Sequence, residues 1–536
     1  MSQKNLLIRG TLILTISGLL TRILGFFYRI FLADALGAEA LGIYQLVFPV
    51  YGLCFTLFAA GNQTALSKMV ASYEVKKHRQ LLFRTLSIAL TTALSLCLLL
   101  FFLAPFVAER FLQEGRAAGS LQVLAFSFPF CAVTACINGF YYGRKQAGVP
   151  AATQFIEQVV RIAVVYMFTK MLSGEFHLGH SISGSRFTCE MAVLGLLFGE
   201  IASMLFNSLS FLLTERRQAH LFSDQHSSDS PFHPIPSSFA KRSVYPELFK
   251  ISLPITGNRF TISLLHSAEA ILLPTFLKLS GCSPVEALSL YGILNGMAMP
   301  FILFPSTITN SLSVMLLPTV ADAAARNHHT ALTRTVSAGI RYSILISILC
   351  TGIFLLYGYD MGRLFFHSTT AGSYIRTLSW LCPFLYLNTT LGSILNGLDL
   401  APTVFLQNVL ASAIRILFLL FFVPRFGMSG YLWGMLAGSL CLTLMHLYTL
   451  RKSVPNLQAP VGIVIAAVLT VLTGLELSRK LPLSFLPGGA VGLPALAFRC
   501  LFVCLLFLLL FFHTEKQFSP QSMKKNSTKR NSRTGT

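Results

Sequence analysis

Apolar residues run through this chain in long continuous blocks. Short polar stretches separate the blocks, and none shows the ten-residue alternation of a membrane barrel strand. The pattern predicts an all-α polytopic membrane protein with about fourteen helices, since a crossing needs roughly 20 apolar residues. The expected helices are 10–33, 41–70, 82–108, 118–142, 150–171, 190–213, 247–279, 286–317, 332–357, 374–398, 402–423, 428–450, 457–476 and 490–513. Several exceed the bilayer minimum, so tilting is expected.

The blocks repeat. Ala65-Leu66-Ser67-Lys68-Met69 reads like Ser311-Leu312-Ser313-Val314-Met315. The series Pro129-Phe130, Asn138-Gly139, Pro150, Arg161-Ile162 returns in order as Pro383-Phe384, Asn396-Gly397, Pro402, Arg415-Ile416. Two pseudo-symmetric six-helix lobes around a central cavity are therefore expected, with two further helices at the C-terminal end. The expected divisions are an N-lobe at 1–214, a polar linker at 215–246, a C-lobe at 247–452, the last pair at 453–513 and a basic tail at 514–536. The linker carries Ser-Asp-Gln-His-Ser-Ser-Asp-Ser and Pro-Phe-His-Pro-Ile-Pro, a flexible composition. Pro49, Gly52 and Gly61 interrupt the second helix; Gly292, Gly296, Pro300 and Pro305 interrupt the eighth. Bends at those points would let bundle ends open and close, or the small residues serve close packing.

Composition supports the membrane reading. Charged residues make up 11% of the chain and hydrophobic ones 54%, with mean hydropathy +0.66. So little charge cannot cover a soluble protein of this size. The net charge of +21 would point to nucleic acid in a soluble protein. Here the basic residues cluster in alternate loops, so no nucleic-acid partner is expected. Placing both termini in the cytoplasm gives the inner loops roughly twice the lysine and arginine of the outer ones. Lys4 and Arg9 precede the first apolar block, which continues past signal-peptide length, so a retained span is expected. The eleven cysteines fall mostly inside apolar blocks and read as small buried hydrophobes. No phosphate-binding loop, metal-ligand spacing or paired acidic motif appears, so neither an enzyme nor a cofactor is expected.

Some basic residues fall inside the apolar blocks, where the centre of a helix costs an arginine roughly 2.5–3.5 kcal/mol on insertion scales. Arg22 lies about 24 Å of helix rise beyond Leu6. A wet cavity, a carboxylate, an anionic substrate or backbone carbonyls must offset its charge. Arg29 follows seven residues on, along the same face, or reaches outward to the surface; Tyr28 and Asp34 accompany it. The seventh helix carries Arg259, with His266 seven residues on and Glu269 after it. Arg259 lines a shared cavity or meets headgroups. Glu269 needs a partner or a proton, as a counter-ion or a coupling site. If the first and seventh helices face each other, both lobes line one cationic cavity, which suits a diphosphate because guanidinium binds phosphate oxygens bidentately.

Glu157 and Arg161 stand four apart in the fifth helix and are expected to pair. Asn408, Ser412 and Arg415 repeat the spacing of Gln154, Gln158 and Arg161, which reads as a structural polar seam in each half. Glu200 in the sixth helix has no local partner and is a candidate proton site.

Some stretches resemble a known family. Thr21-Arg22-Ile23-Leu24-Gly25-Phe26 with Arg29-Ile30, Gly42-Ile43-Tyr44, and Ser263 through Pro274 are similar to the stage V sporulation protein B group. So are Ala287 through Gly292, Ile302 through Ser306 and Thr309 through Pro318. The likeness covers roughly 5–450. That group belongs to the multidrug/oligosaccharidyl-lipid/polysaccharide exporter superfamily. The resemblance implies two six-helix lobes, alternating access and flipping of lipid-linked sugars. For the sporulation group it implies a lipid II-type peptidoglycan precursor for spore cortex, with membrane lipids and cell-wall synthesis enzymes as further partners. Arg22 matches the first-helix arginine that related lipid II flippases place in their cavity. Their next basic position falls at Tyr28, with Arg29 one residue on. Two other readings stay open: a cation-coupled multidrug antiporter of the same superfamily, and a non-transporting membrane scaffold for cell-wall synthesis.

Overall fold

The structure, a computed structural model, describes residues 3–73, 75–172, 188–223, 244–326, 328–454, 461–481 and 492–518. Most of the linker expected at 215–246 and most of the tail expected at 514–536 lie outside the described residues.

The described residues are almost wholly helical. In chain order they form α1 (Gln3–Phe55), α2 (Gly61–Ser72), α3 (Val75–Phe106), α4 (Ala117–Ala125), α5 (Ser127–Gly143), α6 (Gly148–Leu172) and α7 (Cys189–Ser223). Then come α8 (Val244–Leu279), α9 (Pro284–Gly292), α10 (Met299–Leu303), α11 (Ser306–Ala325), α12 (His329–Phe366), α13 (Thr369–Leu378) and α14 (Cys382–Gly397). The last are α15 (Ala401–Phe421), α16 (Val423–Phe426), α17 (Met428–Ser453), α18 (Val461–Arg479) and α19 (Leu493–Phe518).

Among the described residues, 12 helices are long and apolar enough to cross a membrane, and the pair α4–α5, bent by 43°, makes up to 13 if it is taken as one span. The run Ser17–Ser72, 56 residues long, is one of the 12. At 1.5 Å per residue it covers about 84 Å, far more than a hydrocarbon core of about 30 Å. Gly37, at φ 73 and ψ 173, breaks it where the sequence separates the first two expected helices. A side chain there would be strained, and glycine is not. The runs 284–303 and 306–325 are parts of the expected eighth helix, since Phe304 and Pro305 both keep right-handed helical backbone. With the shorter apolar helix Leu493–Leu509, the described spans match the expected set.

The breaks have chemical causes. The second span contains a π-turn at Thr56–Ala60 and the eighth one at Ile293–Ala298. The latter comes just before Pro300, whose ring excludes a regular bond to the carbonyl four residues back. The start of α9 is fixed by Ser283, whose hydroxyl accepts from the Glu286 amide, with Pro284 in the first turn.

Packing divides the chain into two compact units, 1–296 with 415–431, and 297–414 with 432–536. The divisions run through helices rather than through the polar linker. In the first unit Phe58 and Phe128 pack as a tilted pair with ring centroids 5.4 Å apart, and Phe140 meets Phe211 edge-on at 5.4 Å. In the second, Leu316, Val336, Leu391, Ile394, Leu395 and Leu450 form a dry core from α11, α12, α14 and α17.

The repeated Asn-Gly pair explains itself at this level. A Cβ at Gly139 would stand 2.7 Å from the Gln63 carbonyl oxygen, so α5 crosses α2 backbone to backbone. A Cβ at Gly397 would stand 2.8 Å from the Leu317 carbonyl oxygen, giving α14 and α11 the same crossing in the other unit. Lipid offers helices no hydrophobic drive to associate, so such close approach carries the packing. Gly139→Val and Gly397→Val are each expected to lose about 1–3 kcal/mol by overpacking. Thermal unfolding of the purified variants checks this, with the alanine variants expected in between.

Outside the spans, Arg116 clamps the segment before α4. Its Nε lies 2.6 Å from Glu114 and its Nη1 lies 2.8 Å from Glu39. The guanidinium holds the Glu114 carboxyl below the ordinary carboxylate range. A depressed folded value contributes stability above the unfolded value, near ~4.3, and that contribution disappears as pH falls through the folded value. Arg116 is half-exposed, so solvent screening leaves well under about 1 kcal/mol. Glu114→Gln is expected to lower the melting temperature slightly at neutral pH, where that contribution is present, to leave it unchanged below the folded value, and so to flatten the acid side of a melting-temperature-against-pH curve.

Candidate functional site

The first stretch of α1 runs alongside α6. Ser17 Oγ donates to the Ala151 carbonyl at 2.9 Å, and a Cβ at Gly25 would stand 3.6 Å from the Gln158 amide nitrogen. Arg22 and Arg29 flank Gly25 by three and four residues, so the arginine pair lies along this seam. Both side chains are exposed, while Tyr28 between them is buried. On α6, Gln154 is exposed, Gln158 is buried and Arg161 is ion-paired with Glu157 one turn back. Asp34 is exposed beyond Arg29, toward the Gly37 break.

Helix α8 packs against the second span. Ser267 Oγ donates to the Pro49 carbonyl at 2.9 Å. A Cβ at Gly52 would stand 3.5 Å from Ser263 Oγ, and one at Gly61 would overlap Thr256 Oγ1. Arg259 sits between Thr256 and Ser263 on this same face, level with the π-turn Thr56–Ala60, and is exposed. The π-turn thus lies where the cation of α8 emerges.

Glu269 has the partner its burial requires. Arg415 Nη2 lies 3.4 Å from Glu269 Oε2, and the Tyr431 hydroxyl donates to Glu269 Oε1 at 3.0 Å. Arg415 Nη2 also reaches His266 Nδ1 at 3.4 Å. His266 Nδ1 itself lies 3.8 Å from Glu269 Oε2. The repeated arginines therefore each meet a carboxylate: Arg161 one on its own helix, Arg415 one from α8.

Glu200 is 7% exposed. The Tyr51 hydroxyl donates to its Oε1 at 3.3 Å and also lies 3.4 Å from Cys131 Sγ. Of these residues, Tyr51 and Tyr431 escaped sequence reasoning. Tyr51 had one weak signal, its place seven residues after Tyr44 on the second span. Tyr431 had none, because only the placement of the 415–431 segment beside α8 brings it to Glu269.

A family profile described as polysaccharide biosynthesis protein matches residues 7–324. The chain belongs to that family. The family member is 27% identical over 458 residues to "Stage V sporulation protein B" of Bacillus subtilis (strain 168), covering 84% of this chain and 85% of the relative. It is 22% identical over 373 residues to "Lipid II flippase MurJ" of the same organism, covering 67% of this chain and 65% of the relative. Among solved structures, an inward closed lipid II flippase MurJ aligns with TM-score 0.69 at 14% identity, over 94% of this chain and 99% of that one. An inward-facing multidrug resistance MATE family transporter aligns with TM-score 0.60 at 13% identity, over 82% and 96%. The chain is thus a multi-pass membrane protein of the polysaccharide biosynthesis protein family, and it shares its fold with the solved flippase and drug-transporter structures.

Proposed function

We propose that this transporter flips a polyprenyl-diphosphate-linked saccharide, a lipid II-type peptidoglycan precursor, across the cytoplasmic membrane by alternating access. The observation that carries the reading is the exposed arginine pair, Arg22 and Arg29, within a membrane-crossing helix. Glu157 and Glu269 are engaged by Arg161 and Arg415, so neither is available to accept a cationic drug. An exposed cationic row suits an anionic headgroup, and guanidinium forks suit a diphosphate. Arg259 is proposed as a second contact from α8.

In this scheme the arginines hold the diphosphate, the sugar occupies water and the polyprenyl tail stays in lipid. Rocking of two lobes, 1–214 and 247–452, moves the headgroup outward, with both termini in the cytoplasm. The similarity to proteins named for sporulation and for lipid II flipping supports the spore-cortex assignment. Reconstituted liposomes test the reading. Flipping of a polyprenyl-diphosphate disaccharide without proton-driven export of ethidium is the expected result; ethidium export without flipping would assign the protein to drug efflux instead.

A further inference from the structure

From Glu200 toward the end of α7, polar residues recur on one face at steps of three and four: Glu200, Ser203, Asn207, Ser210 and Thr214. Side chains from neighbouring helices meet this stripe at most levels. Thr134 Oγ1 lies 3.2 Å from Ser203 Oγ. At the next level Asn207 accepts from Thr153 Oγ1 at 2.7 Å and donates to Asn138 Oδ1 at 3.2 Å. Thr214 Oγ1 donates to the Ser210 carbonyl at 2.8 Å and lies 3.2 Å from the Tyr141 hydroxyl. The stripe covers about 21 Å of helix. At one end it reaches the region that leads to the polar linker; at the other it stops at a buried carboxylate.

The groups around that carboxylate can be named helix by helix. The Tyr51 hydroxyl comes from α1 and the Cys131 thiol from α5. Helix α6 presents Glu157 and Arg161, already ion-paired to each other, and α4 carries no titratable residue. A bare carboxylate here would have to share Arg161, already paired with Glu157, and would have no counter-charge of its own in a membrane interior. Simple interhelical glue accounts for the amides and hydroxyls but gives no reason for an acid at the head of the row.

We propose that Glu200 is a proton-binding site, loaded and emptied along the Ser203–Asn207–Thr214 ladder, and that Tyr51 transmits its state to the second span. With the proton on, the carboxyl is neutral and can itself donate a hydrogen bond. With the proton lost along the ladder, the carboxylate draws harder on the Tyr51 hydroxyl and on Arg161. Tyr51 stacks on Phe55 at 5.8 Å, directly before the π-turn Thr56–Ala60, where a helix accommodates a change of register. The inference stands apart from the identity of the cargo.

Infrared difference spectroscopy on the purified full-length chain tests it without any transport assay. The wild type should show the carbonyl band of an un-ionised carboxylic acid that vanishes on alkalinisation. The band should be absent in Glu200→Gln. In Tyr51→Phe, which keeps the acid, it should move in frequency and titrate at a different midpoint. Asn207→Leu should keep the band but slow its response to a pH jump at least tenfold. A wild-type spectrum without the band, a band surviving in Glu200→Gln, or a Tyr51→Phe spectrum identical to wild type would each overturn the site. An unslowed response in Asn207→Leu would overturn the ladder as its route.

Discussion

Arg22→Ala is expected to lower flipping of a polyprenyl-diphosphate saccharide by roughly tenfold to a hundredfold, and Arg22→Ala/Arg29→Ala to lower it to background. A hydrogen bond to a charged group contributes about 1.5–3 kcal/mol, and a guanidinium offers a diphosphate two at once. The two arginines flank Gly25 on a seam where the exposed Gln154 of α6 adds a further polar group, so a headgroup meets several donors in one row. Arg22→Lys should retain part of the activity, because a point charge replaces a planar fork. Both arginines are exposed, so their loss should leave folding nearly intact. Flipping rates per protein, with melting temperature as control, check all three variants. Wild-type rates in Arg22→Ala/Arg29→Ala would remove the diphosphate cradle.

The second large effect is on stability. Arg415→Ala should destabilise the protein by about 3–5 kcal/mol, since it leaves Glu269 buried without its counter-charge. Tyr431 would remain as a donor, but a neutral hydroxyl does not replace a guanidinium at 3.4 Å. Glu269→Gln added to Arg415→Ala should recover most of the loss, because a buried neutral amide costs far less than a lone carboxylate. Arg161→Ala is expected to fall by less, as its Glu157 partner is more exposed than Glu269. Thermal unfolding of the four proteins supplies the comparison. No recovery in the double variant would mean that Arg415 acts on something other than Glu269.

How much of this was legible in the chain depends on the distance over which each feature acts. The first two helices could be divided because Gly37 and its polar neighbours break one apolar run locally. Glu157 and Arg161 could be paired because four residues is one helical turn. The repeated Asn-Gly pair marked a shared constraint, though only the backbone approach to Gln63 and Leu317 showed what it was. Glu269 and Arg415 are far apart in sequence, and nothing local to either names the other. Arg415 repeats Arg161, so sequence spacing placed both in a similar seam; packing gave one a carboxylate from its own helix and the other one from α8. The Glu200 stripe was present as polar residues at helical spacing, but its partners come from three other helices, which no single-helix pattern reveals. The π-turns fall among the prolines and glycines that mark the second and eighth spans as interrupted, while the choice of a π-turn over a plain kink depends on neighbours.

The claim that matters most is that arginines of the first helix hold a diphosphate, and binding tests it more directly than transport. Polyprenyl diphosphate and the uncharged polyprenyl alcohol can be titrated against the wild type and against Arg22→Ala/Arg29→Ala in the same lipid. The account predicts that the diphosphate binds the wild type at least tenfold more tightly than the variant, weakens as salt rises, and that the alcohol does not distinguish the two. Equal affinity of the diphosphate for both proteins would contradict it.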